Sequence, residues 1–200
     1  MFPSPPPATQ ALIIANVVVF LLESVAGGTF VALFALWPLA YGFLPWQVVT
    51  YSFLHVGVLH LALNMFALYM FGSEIERVVG MRRYLTFYFL CVLSAAAAQL
   101  LVVAALAAPP YPTVGASGGV FGVLLAFAMY FPNRKILLLF PPIPLPAWLF
   151  VTLFAIVELY LGVTATRAGV AHFAHLGGMV GGYLVIRRWR GRPPFGRWRR

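Results

Sequence analysis

Charge is the scarcest property of this sequence. Only 8% of its 200 residues are charged, there is no Asp, and the only acidic residues are Glu23, Glu74, Glu76 and Glu158. A soluble domain carries about 25% charged residues. Here 62% of the residues are hydrophobic and the mean hydropathy is +0.94. These values exclude an ordinary soluble protein and predict a chain embedded in a lipid bilayer.

Two further absences limit the alternatives. The single cysteine, Cys91, lies inside an apolar run, so an intrachain disulfide is excluded and a buried structural thiol is expected. The first ten residues contain no Lys or Arg, whereas a signal peptide begins with a basic region. We therefore expect the first apolar segment to be retained as a helix.

Six apolar segments account for most of the chain. A membrane helix needs about 20 apolar residues, so six of them leave no room for a second, soluble domain. We predict one all-α polytopic membrane domain covering residues 1–200. These segments are too long and too continuously apolar for the alternating pattern of barrel strands. The predicted spans are Ala8–Val25, Gly57–Glu74, Tyr84–Ala107, Gly115–Phe131, Ala147–Val163 and Val170–Ile186.

The net charge of +9 comes from basic residues between and after the spans. With the N-terminus inside, 12 of the 13 basic residues fall on the inner side and only Arg167 falls outside. Cytoplasmic loops concentrate Lys and Arg, so both termini are predicted to be cytoplasmic. The compactness of the chain and its lack of organelle signals suggest a bacterial inner membrane. Residues 187–200, half of them Arg, are predicted to be a basic cytoplasmic tail on anionic lipid. Nucleic acid is not an expected partner, because the basic residues share no soluble face.

The connection between the first two spans, residues 26–56, is unusually apolar. It contains aromatic residues throughout, which favour the membrane–water interface. We predict a structured loop in the outer headgroup region. The alternative is a failed seventh span, interrupted by Pro38, Gly42 and Pro45.

Several polar side chains lie where apolar ones are expected. Ionisable groups inside a span are costly and indicate function. In the predicted topology three different spans place these groups at a similar depth, in the outer third, so the active site is expected toward the outer side. The residues are His60, Asn64, Ser117, His172 and His175.

Glycines surround the serine and one of the histidines. Ser117 lies in Gly115-Ala116-Ser117-Gly118, and His175 is followed by Gly178 and Gly182. Small residues four apart let helices approach closely, as a serine needs in order to hydrogen-bond an imidazole on another helix within about 3 Å. The glycines alone favour a structural role over chemistry, because the same spacing is common in membrane helices that merely pack. Their combination with Ser and His favours chemistry.

Taken in order, four motifs resemble those of the rhomboid intramembrane serine proteases. The first is His55-Val-Gly-Val-Leu-His60-Leu-Ala-Leu-Asn64, and the second is the spacing Gly72…Glu76…Gly80…Arg83. The third is Gly115-Ala-Ser117-Gly118, similar to the GxSG nucleophile motif. The fourth is Ala174-His175-Leu-Gly-Gly178-Met-Val-Gly-Gly182. In this family the base is followed by Gly three and seven positions later, which selects His175 over His172. We expect His172 to be a structural histidine at the rim of the site.

The resemblance implies that Ser117 is the nucleophile and His175 its base. With no Asp in the chain and no Glu expected near the two motifs at the right depth, we predict a dyad. The family often has Tyr where this chain has Phe121, whose ring is still expected to stack on the base and orient it. The family's outer loop often carries Trp-Arg, where this chain has Trp46-Gln47.

Donors for an oxyanion are expected from His60, Asn64 and the backbone N–H of Ser117. The resemblance implies the same set, with Gly115, Gly118, Gly178 and Gly182 as supporting residues. His55 is expected to line the outer cavity and to hydrogen-bond the first loop.

The resemblance implies substrates that are single-span membrane proteins with small residues and a helix-destabilising stretch near the cut. We expect them to enter from the lipid between spans 2 and 5, into a water-filled cavity capped by residues 164–171. No cofactor or metal is expected. Three alternatives remain: a rhomboid-like pseudoprotease that binds membrane clients, a transporter or channel, and a metal site of His55, His60, His172 and His175.

Overall fold

The computed structural model describes residues 3–106, 111–138, 141–164 and 171–190, and these are mostly helical. A 3₁₀ turn covers Tyr51–Phe53, and a π-helical turn, Leu68–Gly72, joins two helices into one continuous segment. The helices are α1 (Pro7–Ala26), α2 (Gly28–Phe34), α3 (Gln47–Thr50), α4 (Val58–Ala67), α5 (Ser73–Val79), α6 (Met81–Leu106), α7 (Ser117–Tyr130), α8 (Ala147–Thr164) and α9 (His172–Trp189).

Each predicted span coincides with helix, so the all-α class is confirmed. Four helical segments are long and apolar enough to cross a membrane: Pro7–Ala26, Val58–Val79, Met81–Leu106 and Ala147–Thr164. Helix α7 is apolar but has only 14 residues, and α9 has 18 residues with two Arg in its last turn. Four spans are therefore supported by length and composition, and a six-span topology stays a prediction.

The connection between the first two spans is ordered, as predicted. It contains α2 and α3, and the buried side chain of Gln47 stabilises it through hydrogen bonds to the backbone. Gln47 Oε1 accepts the backbone N–H groups of Trp37 at 3.2 Å and Leu44 at 3.1 Å, while Nε2 donates to the carbonyls of Ala32 and Leu33. Gln47 therefore anchors this loop through its side-chain amide.

Helix α9 lies at the centre of the fold, packed against α6, α7 and α8. Its glycines allow these contacts. A Cβ on Gly178 would overlap the backbone of Gly118 in α7, and one on Gly177 would overlap Ala98 in α6. Ser94 Oγ donates a 2.7 Å hydrogen bond to the Gly177 carbonyl. Helices α7 and α9 consequently meet backbone against backbone, directly beside Ser117.

A two-stranded ribbon that was not predicted from the sequence lies between α7 and α8. Strand β1 (Lys135–Leu137) pairs antiparallel with β2 (Pro144–Pro146), with Lys135 opposite Pro146. The prolines are tolerated because a two-stranded ribbon consists only of edge strands. Residues 165–170, which include most of the predicted cap and Arg167, and residues 191–200 of the predicted tail lie outside the described residues.

Candidate active site

Ser117 is the first residue of α7, and the preceding turn holds it in place. Gly115 has a backbone φ of +127°, a value that residues other than glycine rarely adopt. A Cβ on Gly115 would lie 2.7 Å from His60 Cε1 and 3.5 Å from Ser117 Oγ. The glycine therefore leaves open the small space over which the His60 ring and the serine hydroxyl converge.

His175 lies one turn into α9, facing the start of α7. Its Nε2 is 2.8 Å from Ser117 Oγ, a hydrogen-bond distance. The imidazole is mostly buried, with 13% of the side chain exposed. The close backbone contact of Gly118 with Gly178 brings this short serine side chain within reach.

Phe121 packs flat on the imidazole of His175. The ring centroids are 4.3 Å apart and the planes differ by 4°. Phe121 is four residues after Ser117, so both lie on one face of α7. The stack fixes the plane of the imidazole.

Glu158 of α8 contacts His175 from the side opposite the serine. Its Oε2 lies 2.8 Å from His175 Nδ1 and 2.7 Å from His172 Nδ1. The expectation that no Glu lies near the two motifs was therefore wrong. His172, the first residue of α9, is buried and contacts the same carboxylate through its Nδ1. A signal was available: Glu158 is the only carboxylate in the predicted span 5, five residues before its outer end. His175 is likewise five residues from the outer end of span 6.

The same three side chains, Glu158, His172 and His175, are also the type that bind metals, and their ligand atoms lie within 4.8 Å of one another. Two ligands of one tetrahedral zinc, each about 2.0–2.1 Å from the ion, are about 3.3 Å apart. The N···O separations of 2.7 and 2.8 Å are shorter. The arrangement fits hydrogen bonds between the side chains better than a shared ion.

His60 and Asn64 lie one turn apart on α4. Asn64 Nδ2 donates one hydrogen bond to the His60 carbonyl at 2.9 Å, which leaves its second N–H for another acceptor. Both side chains line the same cavity as Ser117 and His175. The Ser117 backbone N–H is in the first turn of α7, where N–H groups have no acceptor within the helix.

The expectation for His55 was wrong. Its side chain is buried and packs edge-on against His60, with ring centroids 4.9 Å apart. Neither ring nitrogen has a hydrogen-bond partner of good geometry among the described residues. Instead its backbone N–H donates to Glu23 Oε2 of α1 at 3.0 Å. Burial, and then the neighbouring His60, lowers the pKa of His55 to about 4, against a smaller opposite effect of the Phe53 carbonyl.

A cavity of about 570 Å³ joins these groups. The second predicted span contributes Leu63 and Phe71 to its lining, and α8 contributes Phe150 and Phe154. Ser117 and His175 line the same cavity. Apolar walls around a few convergent polar groups are typical of a binding site.

Comparison with known proteins identifies relatives for most of this chain. The family model of the rhomboid domain matches residues 43–190. Rhomboid protease GluP of Bacillus subtilis is 30% identical over 141 residues, 70% of this chain and 25% of the relative. Rhomboid protein 1, mitochondrial, of Saccharomyces cerevisiae is 33% identical over 69% of this chain and 40% of the relative. Presenilin-associated rhomboid-like protein, mitochondrial, of Bos taurus is 30% identical over 72% of this chain and 39% of the relative. The chain thus spans well under half the length of these relatives.

Proposed function

The chain belongs to the rhomboid family, and from that premise we propose that it is an intramembrane serine endopeptidase that cleaves single-span membrane proteins. The observation that supports this most strongly is the 2.8 Å contact between Ser117 Oγ and His175 Nε2 beside the cavity. A serine needs an adjacent base to become a nucleophile, and this geometry provides one.

In the proposed reaction Ser117 Oγ attacks the carbonyl carbon of the scissile peptide bond and His175 Nε2 takes the hydroxyl proton. As the C–N bond breaks, His175 returns this proton to the leaving amine and an acyl-enzyme remains. A water molecule, deprotonated in turn by His175, then attacks the acyl carbon. The ester bond breaks, His175 returns the proton to Ser117 Oγ, and the second product leaves as a carboxylic acid. The cavity gives that water a route to the acyl group.

The tetrahedral intermediate carries a negative oxygen that needs hydrogen-bond donors. His60 and Asn64 line the cavity together with Ser117, and the Ser117 backbone N–H lies in the first turn of α7. Each well-placed donor of this kind contributes about 10²–10³ to the rate. The proposal assigns the oxyanion to this group of three.

The location and access route follow from the same proposal. We propose a six-span protein of a bacterial inner membrane, with cytoplasmic termini and an outward-facing site. The four helical segments long enough to cross a membrane support its insertion into the bilayer, and the distribution of basic residues supports this orientation. Substrate enters sideways between α4 and α8. Exposed apolar residues on both sides of the cavity support this route: Leu63 on α4 is 50% exposed and Phe154 on α8 is 39% exposed.

The test is labelling of the purified protein in detergent with a fluorophosphonate, which reacts with activated serines. We expect the wild type to label, and Ser117→Ala and His175→Ala not to label. Ser24→Ala is the matched control, because Ser24 is an exposed serine that donates to its own helix. Absence of labelling in a folded wild type, under conditions in which a rhomboid protease labels, would favour a pseudoprotease that binds membrane clients without cutting them.

A further inference from the structure

We infer that Glu158 is a positioning residue that sets the protonation state of His175, and that His172 holds Glu158 in place for this task. The inference rests on the proposed function. It extends the predicted pair of Ser117 and His175 to a chain of four side chains on three helices: Ser117 on α7, Glu158 on α8, and His172 and His175 on α9.

Glu158 determines which nitrogen of His175 carries the proton. An ionised carboxylate can only accept hydrogen bonds, and Glu158 Oε2 is 2.8 Å from His175 Nδ1. Nδ1 must therefore carry a hydrogen and donate it. In neutral imidazole the other nitrogen then has a lone pair, and Nε2 faces Ser117 Oγ at 2.8 Å. This is the tautomer that a general base requires.

Stacking on Phe121 does not achieve this. A phenyl ring lying 4.3 Å above the imidazole fixes its plane, but it cannot distinguish Nδ1–H from Nε2–H. In the wrong tautomer Nε2 would carry a hydrogen and could not take one from Ser117. The carboxylate is thus the group, among the described neighbours of His175, that selects the reactive form.

Glu158 also stabilises the positive charge that His175 acquires during the reaction. When Ser117 gives its proton to Nε2, His175 becomes a cation, and a carboxylate hydrogen-bonded to Nδ1 stabilises that cation. Glu158 itself takes up no proton. Because Glu158 is 8% exposed, its attraction is screened less than it would be in water.

His172 holds the carboxylate of Glu158 in place. A carboxylate buried in a membrane span is costly unless it is paired, and a glutamate side chain has three flexible bonds. His172 Nδ1 lies 2.7 Å from the same Oε2, with its ring nearly perpendicular to that of His175. Two donors from different directions hold this oxygen in line with Nδ1 of His175. His172 touches no reacting atom, so it acts only through Glu158.

The deciding variant is Glu158→Gln, because glutamine keeps the shape and an accepting oxygen but removes the charge. We expect the rate constant of fluorophosphonate labelling to fall by about a hundredfold or more, as when the carboxylate of a Ser-His-Asp site is replaced. We expect the acid limb of its pH profile to move to lower pH, because without the charge His175 is protonated less readily. Glu158→Asp keeps the charge but withdraws it by one methylene, so partial activity is expected. Glu74→Gln, the same change at an exposed site, should label as the wild type.

His172→Ala tests the fourth member. It should slow labelling, but the double variant with Glu158→Gln should be no slower than Glu158→Gln alone, because residues acting in one chain are not additive. Labelling of a folded Glu158→Gln at the wild-type rate and with the wild-type pH profile would overturn the inference. Should Glu158→Gln not fold, wild-type labelling and pH dependence of Glu158→Asp would do so.

A separate measurement keeps this result distinct from failure of the proposed function. In protein with ¹⁵N-labelled histidine, the two Nδ1–H protons facing Glu158 should resonate far downfield and move upfield in Glu158→Gln. If the wild type has these resonances but does not label, the protease proposal fails while the tautomer assignment stands. If they are absent, the positioning role is wrong whatever the labelling shows.

Discussion

The carboxylate of Glu76 is bound to the start of α1 through Thr9. Glu76 Oε2 accepts both the backbone N–H and the hydroxyl of Thr9 at 2.7 Å, and Oε1 accepts the N–H of Ala8 at 2.9 Å. These N–H groups belong to the first turn of α1, where backbone N–H groups have no acceptor within the helix. A side chain 67 residues away therefore caps this helix, and the negative charge also suits its N-terminal dipole.

The first prediction is that Glu76→Gln destabilises the protein by about 1–3 kcal/mol, since hydrogen bonds to a charged group are being replaced by weaker ones. Reaction of the buried Cys91 thiol with a fluorescent maleimide during heating measures the unfolding. Glu74→Gln is the control on the same helix, because its exposed ion pairs with Arg77 and Arg134 are worth 1 kcal/mol or less. Equal losses in the two variants would contradict the capping role.

The second prediction concerns the contact between α7 and α9. Gly178→Ala would place a methyl group inside the Gly118 backbone, so the helices must separate. We expect a loss of about 1–3 kcal/mol in stability and slower fluorophosphonate labelling. Gly28→Ala has open space around its new Cβ and should change neither. Normal labelling by Gly178→Ala would mean that this contact does not set the distance from Ser117 to His175.

The third prediction separates the role of the aromatic ring of Phe121 from that of the hydroxyl group that a tyrosine would add. Phe121→Tyr should keep activity, because the stack on His175 needs only the aromatic face. Phe121→Leu should lose about two- to tenfold in kcat, from the roughly 0.5–1.5 kcal/mol of an aromatic pair. Turnover of a fluorogenic transmembrane peptide gives kcat, and a Leu variant as fast as the wild type would remove orientation by stacking from the mechanism.

The fourth prediction follows from the neutral, buried His55. Its pKa is lowered to about 4 in the folded protein, whereas an unfolded histidine titrates near 6.5. Between these values the unfolded chain binds a proton that the folded protein does not, so stability falls as the pH falls. The loss between pH 7 and pH 5 should be about 2 kcal/mol. Thermal unfolding at both values should show a smaller loss for His55→Gln, and equal losses would contradict this assignment.

The fifth prediction tests sideways entry. A Cys placed at Leu63 on α4 should form a disulfide with a Cys near the cut in a single-span substrate, in a Ser117→Ala background. Val18→Cys on α1 is the control, since Val18 is 47% exposed but lies off the cavity. Cross-linking through position 18 alone would move the route to another face of the protein.

The positions of the helices were predictable because long apolar runs and glycine spacing are properties of the chain itself. The nearness of Ser117 to His175 was predictable for a similar reason, since each sits in a glycine-rich segment at matching depth. The carboxylate beside His175 was missed although Glu158 lies at that depth too. The sequence of a span gives the depth of each residue in the membrane but not the rotation of the helix about its own axis. Only the packing of the helices shows that Glu158 faces α9.

The inward role of His55 and the amide anchor of Gln47 could not be predicted for another reason. His55 lies in an irregular segment and Gln47 begins the four-residue helix α3, and at both places the direction of a side chain depends on neighbours far along the chain. His55 binds α1 through its backbone N–H rather than its ring, and Gln47 bonds to backbone groups 3 to 15 residues away. No periodic pattern records such contacts.

The backbone contact between Gly118 and Gly178 also determines how much disorder is lost when the site assembles. Membrane helices form before they pack together, so the backbone of each glycine is already ordered when α7 meets α9. A leucine at this crossing would lose about 0.5–1 kcal/mol of rotamer freedom on packing, and glycine has no rotamer to lose. Ser117 and His175 are therefore joined at a crossing whose two central residues contribute no side-chain entropy penalty.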